Sequence, residues 1–171
     1  DAITLVLTFG AVLLLSVELG ILCGVLLSFG LLIRSASKPH MAEVGRYGSS
    51  EHFRNVLRHT VSTCPEVLAI RVDESLYFVN ARFIENQILE RAVDCPDLKH
   101  VLLICSPVNF IDTSGLEMLE NLEHRLTDMG ATLHFAEIKG PVMDHLEDTQ
   151  FYRQMRGRVF FTTDLAMREL G

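Results

Sequence analysis

The pattern of apolar and polar positions changes abruptly at Arg34. Residues 2–33 are almost wholly apolar, with Glu18 as their only charge, and everything beyond Arg34 mixes polar and apolar positions in the manner of a water-exposed domain. The run is too long, and too rich in branched residues, for a secretory signal. As one helix it would reach roughly 48 Å, well past a hydrocarbon core of about 30 Å. Either one steeply tilted helix overshoots the bilayer or the chain turns around. The turn is favoured, near 16–20, where Ser16, Glu18 and Gly20 gather the charge and a glycine. That reading predicts two helices of about 15 residues, each slightly short of a span and suited to a packed membrane core. The chain opens at Asp1 with apolar residues directly behind it, and reads as the C-terminal piece of a longer membrane protein.

Residues 34–64 read as a linker. Ser35 to Pro39 breaks the apolar pattern, Gly45 to Ser50 is a loop, and 51–61 is predicted as a short helix capped by Ser50, with Phe53, Val56 and Leu57 on one side. From residue 65 the pattern alternates strands and helices. The runs 67–72 and 76–79 predict a hairpin around Asp73, Glu74 and Ser75. Ala81, Ile84, Ile88 and Ala92 predict a helix over 81–93, stopped by Pro96. The continuous apolar run 101–105 predicts a strand buried on both faces. Leu119, Leu122, Leu126 and Met129 predict a helix over 115–129, closed by Gly130 as a left-handed cap. Strands over 131–136 and 159–161 and helices over 141–146 and 163–170 complete the series. The order implies an α/β domain over 65–171, with a mostly parallel sheet, crossover helices and an N-terminal hairpin, preceded by one or two membrane helices in 1–33.

Charge sets the orientation and excludes one class of partner. Arg34, Lys38, Arg46, Arg54 and Arg58 follow the apolar segment against only Glu43 and Glu51, and a Lys/Arg excess beside a membrane end marks the cytosolic side. Residues 61–171 hold ten basic and eighteen acidic side chains. An acidic domain lacks the basic face that nucleic acid requires. Cys23, Cys64, Cys95 and Cys105 show no zinc or redox spacing, and read as reduced and structural. His52 and His59 stand seven apart with no carboxylate to complete a metal site. No nucleophile elbow, phosphate-binding glycine loop or Cys/His pair supports an enzyme. Neither a cofactor nor a metal is expected.

The loop between the buried strand and the helix after it reads Asn109-Phe110-Ile111-Asp112-Thr113-Ser114-Gly115-Leu116-Glu117. It lies at the carboxyl end of a predicted parallel strand, where open α/β sheets present their sites. Ser114 and Glu117 fit a capping box, with the hydroxyl accepting from the Glu117 amide. Gly115 leaves the first turn open, so that an anion or a phosphorylated hydroxyl could approach the free amides beside Asp112. A cap alone accounts for both hydroxyls, those of Thr113 and Ser114.

Strand, Asp-Thr-Ser-Gly-Leu and amphipathic helix together resemble the signature loop of STAS domains, the fold shared by sulfate transporters and anti-sigma factor antagonists. The stretch Arg71-Val72-Asp73 through Leu76-Tyr77-Phe78-Val79-Asn80-Ala81 resembles the opening strands of STAS domains in SulP anion transporters. Glu18 through Ser28, followed by Pro39 and Gly45-Arg46, resembles the last membrane helix of that family and its exit. The resemblance implies the C-terminal part of a secondary transporter of sulfate- or bicarbonate-type anions. It further implies a homodimeric parent in the plasma (inner) membrane, and a cytoplasmic STAS domain serving assembly and regulation and open to a cytosolic protein partner. The substrate site would lie on earlier helices, and Glu18 would belong to a turn facing headgroups or water. Ser114, preceded by Thr113, stands where the antagonist branch is phosphorylated. The alternative is a membrane-tethered STAS signalling module answering to a kinase, without transport.

Overall fold

The computed structural model describes residues 2–14 and 16–171, which divide into two compact units, Asp1–Lys38 and Pro39–Gly171.

The first unit is a helical hairpin of α1 (Ala2–Leu14) and α2 (Val17–Ala36). Ser16 caps α2, its Oγ accepting from the Leu19 N–H at 3.3 Å, and Glu18 lies in the first turn, where the helix dipole favours an acid. The two glycines of Gly20-Ile21-Leu22-Cys23-Gly24 explain how closely the helices pack. A Cβ on Gly20 would stand 2.2 Å from Val12 Cγ2, and one on Gly24 would stand 2.7 Å from Thr8 Cγ2. Small residues four apart let two backbones approach in this way. The helices are unequal rather than a matched pair of about 15 residues. The 20 residues of α2 match a hydrocarbon core of about 30 Å, whereas the 13 of α1 reach only about 20 Å. Among the described helices, α2 alone is long and apolar enough to cross a membrane.

The second unit is a six-stranded sheet. Its strands are β1 (Met41–Arg46), β2 (Phe53–Asn55), β3 (Val67–Val72), β4 (His100–Ile104), β5 (Thr132–Ala136) and β6 (Val159–Phe160), in the order β2-β1-β3-β4-β5-β6. β3 to β6 run parallel, while β1 is antiparallel to both β2 and β3. The crossovers are α3 (Ala81–Val93), α4 (Thr113–Asp128), and α5 (Gly140–Glu147) with α6 (Gln150–Gln154); α7 (Thr163–Leu170) ends the chain. One face of the sheet, with Leu68, Ile70, Leu103 and Phe135, packs against Ile84, Ile88, Leu119, Leu122 and Phe151 of the crossover helices. The other face, with Ala69, Leu102, Ile104 and Ala136, is covered by Ala166 and Leu170 of α7.

Three expectations are corrected. β3 does not pair with 76–79; its antiparallel partner is β1, with Met41 opposite Val72 and Glu43 opposite Ile70. Residues 75–80 instead form a closed turn around the fully buried Asn80, which accepts from the Tyr77 N–H (3.1 Å) and donates to the Ser75 carbonyl (2.9 Å). Much of the expected linker therefore belongs to the sheet: Ala42 and Val44 are buried, and Gly45 lets Ser62 pass close by. The helix expected over 51–61 is replaced by β2 and a turn, and Ser50 Oγ donates to the Tyr47 carbonyl rather than capping a helix.

A histidine relay crosses two strands beneath α7. The Arg158 N–H donates to His134 Nδ1 (3.1 Å), so the neutral His134 ring carries its proton on Nε2 and donates it to His100 Nδ1 (3.1 Å). Burial, with lesser contributions from the His100 and Arg158 charges, pushes the His134 imidazole down to about 4. An unfolded histidine takes up its proton near pH 6.5, so as pH falls from there towards 4 the unfolded state binds a proton that the folded state refuses. Stability present above about 6.5 is thus lost across that window. In thermal melts, His134→Asn, whose side-chain oxygen can still accept from Arg158, is expected to flatten this part of the pH dependence.

Candidate functional site

The site is built on the carboxyl end of the parallel strands. The β4–α4 loop is pinned from both sides. The Asn109 N–H donates to Ser75 Oγ (3.1 Å), and Lys139 Nζ donates to Asn109 Oδ1 (2.7 Å), tying in the loops after β3 and β5. Leu76 forms a single parallel bridge to Ile111. Tyr77 packs on Phe110 with ring centroids 5.5 Å apart and meets Phe78 edge-on at 6.1 Å.

The residue that starts α4 is Asp112, not Ser114. Asp112 Oδ1 accepts from the Gly115 N–H at 2.7 Å, and Oδ2 accepts from the Phe78 N–H at 3.0 Å. One carboxylate therefore caps the helix and fastens the loop after β3. Ser114 lies inside the first turn, so the expected capping box with Glu117 does not form. The Ser114 side chain is half-buried and that of Thr113 exposed, and neither hydroxyl is hydrogen-bonded among the described residues. Gly115 is buried instead of opening the turn. A Cβ there would stand 2.4 Å from the Leu76 carbonyl oxygen, so its absence serves close packing of helix on loop. Asp112→Ala is expected to cost about 2 kcal/mol, since it removes a cap and a second charged hydrogen bond, whereas Ser114→Ala should stay within about 0.5 kcal/mol. Equal melting temperatures for the two variants would refute this assignment.

Around this loop the charges are largely engaged. Asp73 accepts from Arg71 Nε (2.5 Å) and meets His40 Nδ1 (2.7 Å). Burial alone would raise the Asp73 carboxyl, but the bonds from Arg71 and His40 outweigh it and hold it below the usual range. Glu137 had no signal in the sequence. It takes a left-handed backbone (φ 58°) at the end of β5, and its carboxylate accepts from the Thr163 N–H (3.2 Å) and Oγ1 (2.6 Å), holding the start of α7. The Cys105 thiol below the loop is pushed up to about 12 by burial, with a smaller contribution from Glu137, and is an inert core group. The four cysteines are free. His59 makes an edge contact with Tyr47 at 5.9 Å, and no cluster of metal-ligating side chains occurs among the described residues.

The comparisons with known proteins agree with this architecture. Residues 59–166 match the STAS domain family. The chain belongs to that family. Its relatives include high affinity sulfate transporter 2 of Stylosanthes hamata, 32% identical over 145 residues, a match covering 79% of this chain and 22% of the relative. Sulfate transporter 1.3 of Arabidopsis thaliana is 31% identical over 153 residues, covering 84% of this chain and 23% of its own length. The chain thus spans less than a quarter of the length of these transporters. In fold, the murine Slc26a9 anion transporter in its inward-facing state is similar over 96% of this STAS chain and 28% of its own, with a TM-score of 0.85 at 18% identity. A Thermotoga maritima protein assigned as an anti-sigma factor antagonist is similar over 64% of this chain and 91% of its own, with a TM-score of 0.55 at 18% identity.

Proposed function

We propose that this STAS chain is part of a secondary transporter of small inorganic anions, of the sulfate type, and that its domain serves assembly and regulation rather than forming the anion path. The observation that carries the reading is the conjunction of a STAS domain, an apolar helical hairpin directly before it, and sulfate transporters as relatives at about a third identity. In this reading the hairpin anchors the chain in a membrane and the domain lies on the cytoplasmic side, which the Lys/Arg excess after α2 supports. The parent is a homodimer in this reading, with a cytosolic protein partner for the domain. The relatives are transporters, not enzymes, and a signalling module without transport is not favoured.

The start of α4 is the proposed regulatory point. A phosphate on Ser114 would bring roughly −1.5 to −2 charges to a helix N-terminus, favoured by the dipole and opposed by Asp112. The test is uptake of labelled sulfate by liposomes containing the intact parent, beside liposomes containing this chain alone. Uptake by the parent only, altered by Ser114→Glu and not by Ser114→Ala, fits the proposal. A parent that moves no inorganic anion refutes it.

A further inference from the structure

The domain places its most exposed apolar side chains at one end of the sheet. Within Pro39–Gly171, Leu57 (90% exposed), Phe161 (90%) and Phe78 (73%) are the most exposed of the large hydrophobic residues, and Phe110 is 51% exposed. Topology puts all four at the carboxyl end. Phe78 and Phe110 lie in the loops after β3 and β4, and Phe161 follows β6 directly. Leu57 follows β2, whose Asn55 pairs with Val44, and the Val56 N–H donates to the Glu43 carbonyl, so Leu57 stands beside the start of β1. The start of β1 in turn lies beside the end of β3. The rim runs from one sheet edge to the other, about 24 Å at ordinary strand spacing.

The presentation of Leu57 is built into its turn. Asn55 Oδ1 accepts from the Leu57 N–H (2.8 Å), and the Asn55 carbonyl accepts from the N–H groups of Arg58 and His59 (3.1 Å each), which holds the leucyl side chain out in solvent. Arg54 and Arg58 flank it, exposed and without an ion pair among the described residues. Four acids of this end are engaged within the fold, Asp73 by Arg71 and His40, Glu74 by the Ser75 N–H, Asp112 by two backbone amides and Glu137 by Thr163, while Glu117 and Asp144, farther along α4 and α5, are exposed. Met41, which opens β1 at this same end, stands five residues after the last residue of α2 in the sequence.

We propose that the carboxyl end of the sheet rests on an anionic lipid surface, with Leu57, Phe78, Phe110 and Phe161 entering the headgroup zone and Arg54 and Arg58 meeting lipid phosphates. Exposed apolar and aromatic side chains beside unpaired cations, tethered to a bilayer-length helix, suit the cytoplasmic leaflet in both chemistry and reach. The inference deepens the regulatory reading, because the Asp112–Ser114 loop lies on the same rim. A phosphate on Ser114 would then be repelled by the leaflet, and a protein partner at the loop would compete with lipid.

The chain contains no tryptophan, so single reporters can be introduced in the full chain reconstituted into phosphatidylcholine vesicles with or without phosphatidylserine. Leu57→Trp and Phe161→Trp probe the rim. Val93→Trp probes the opposite end, where Val93 closes α3 and is exposed. Brominated lipid is expected to quench the first two about twofold or more in phosphatidylserine vesicles and to leave Trp at 93 bright. Combining Arg54→Gln with Arg58→Gln, or adding about 0.5 M salt, should remove the quenching at 57. Quenching at 57 and 161 no stronger than at 93 overturns the proposal, as would quenching that ignores lipid charge. The readout is lipid contact alone, so it stands apart from whether the parent carries sulfate.

Discussion

Gly115→Ala is expected to melt the domain about 10 °C below the unmodified protein, a larger loss than any single cap removal. The added methyl would lie 2.4 Å from the Leu76 carbonyl oxygen and 2.9 Å from its carbon, both backbone atoms. Leu76 has little room to yield. Its N–H donates to the Phe110 carbonyl (3.1 Å), and its own carbonyl accepts from the Asp112 N–H (3.0 Å). Relief would require α4 to lift from the sheet, where Met118, Leu119 and Leu122 are buried, or the 75–80 turn to open around Asn80. Overpacking against fixed backbone costs about 3 kcal/mol or more, a large share of the roughly 5–15 kcal/mol that holds a domain together. A thermal melt of Gly115→Ala beside the parent chain checks this. An unchanged midpoint would mean that α4 does not sit on Leu76 as described.

A protein beginning at residue 65 is expected to fail to fold cooperatively, whereas one beginning at Pro39 should give a single transition. Removing 39–64 strips β1 from β3 and turns an internal strand into a bare edge. It also uncovers the α7 side of the core where Val44 and Phe53 pack, at about 1.5 to 3 kcal/mol for each buried side chain. The ion pairs that Arg46 makes with Asp164, and Glu51 with Arg168 at 3.7 Å, go as well. Denaturant unfolding of the two lengths decides the matter: equal midpoints would return 39–64 to the status of a linker.

How much was legible in the sequence follows from how local each signal is. Helix α3 was legible because Ala81, Ile84, Ile88 and Ala92 repeat with helical period and all become buried. The same holds for most of α4 and for β4, whose apolar run is buried on both faces. The cap of α4 was not, because two local patterns compete there. Ser114 with Glu117 fits a cap as well as Asp112 with Gly115 does. The choice falls to a distant group, the Phe78 N–H, which needs the second oxygen of Asp112. Strand β1 was hidden for a related reason. Its buried side chains are only Ala42 and Val44, with a glycine after them, and its strand character comes from pairing with β3. The five residues of α6 bury one side chain, Phe151, too little to leave a period. The left-handed backbone of Glu137 has no local cause at all; the carboxylate is drawn to the start of α7. The family resemblance reached the signature loop and the membrane helix, because the Asp-Thr-Ser-Gly-Leu run and the glycine-spaced apolar stretch are continuous in sequence.

In the proposed function the domain governs an anion transporter without supplying its anion path. The measurement that tests it most directly is labelled-sulfate uptake by the parent in liposomes after removal of 39–171 with α1 and α2 retained, normalised to the protein present in the membrane. The rate is expected to fall severalfold while the order of preference among competing anions is kept. A changed order of preference would place anion-selecting groups in the domain, and an unchanged rate would deny it a regulatory part; either result would overturn the proposed function.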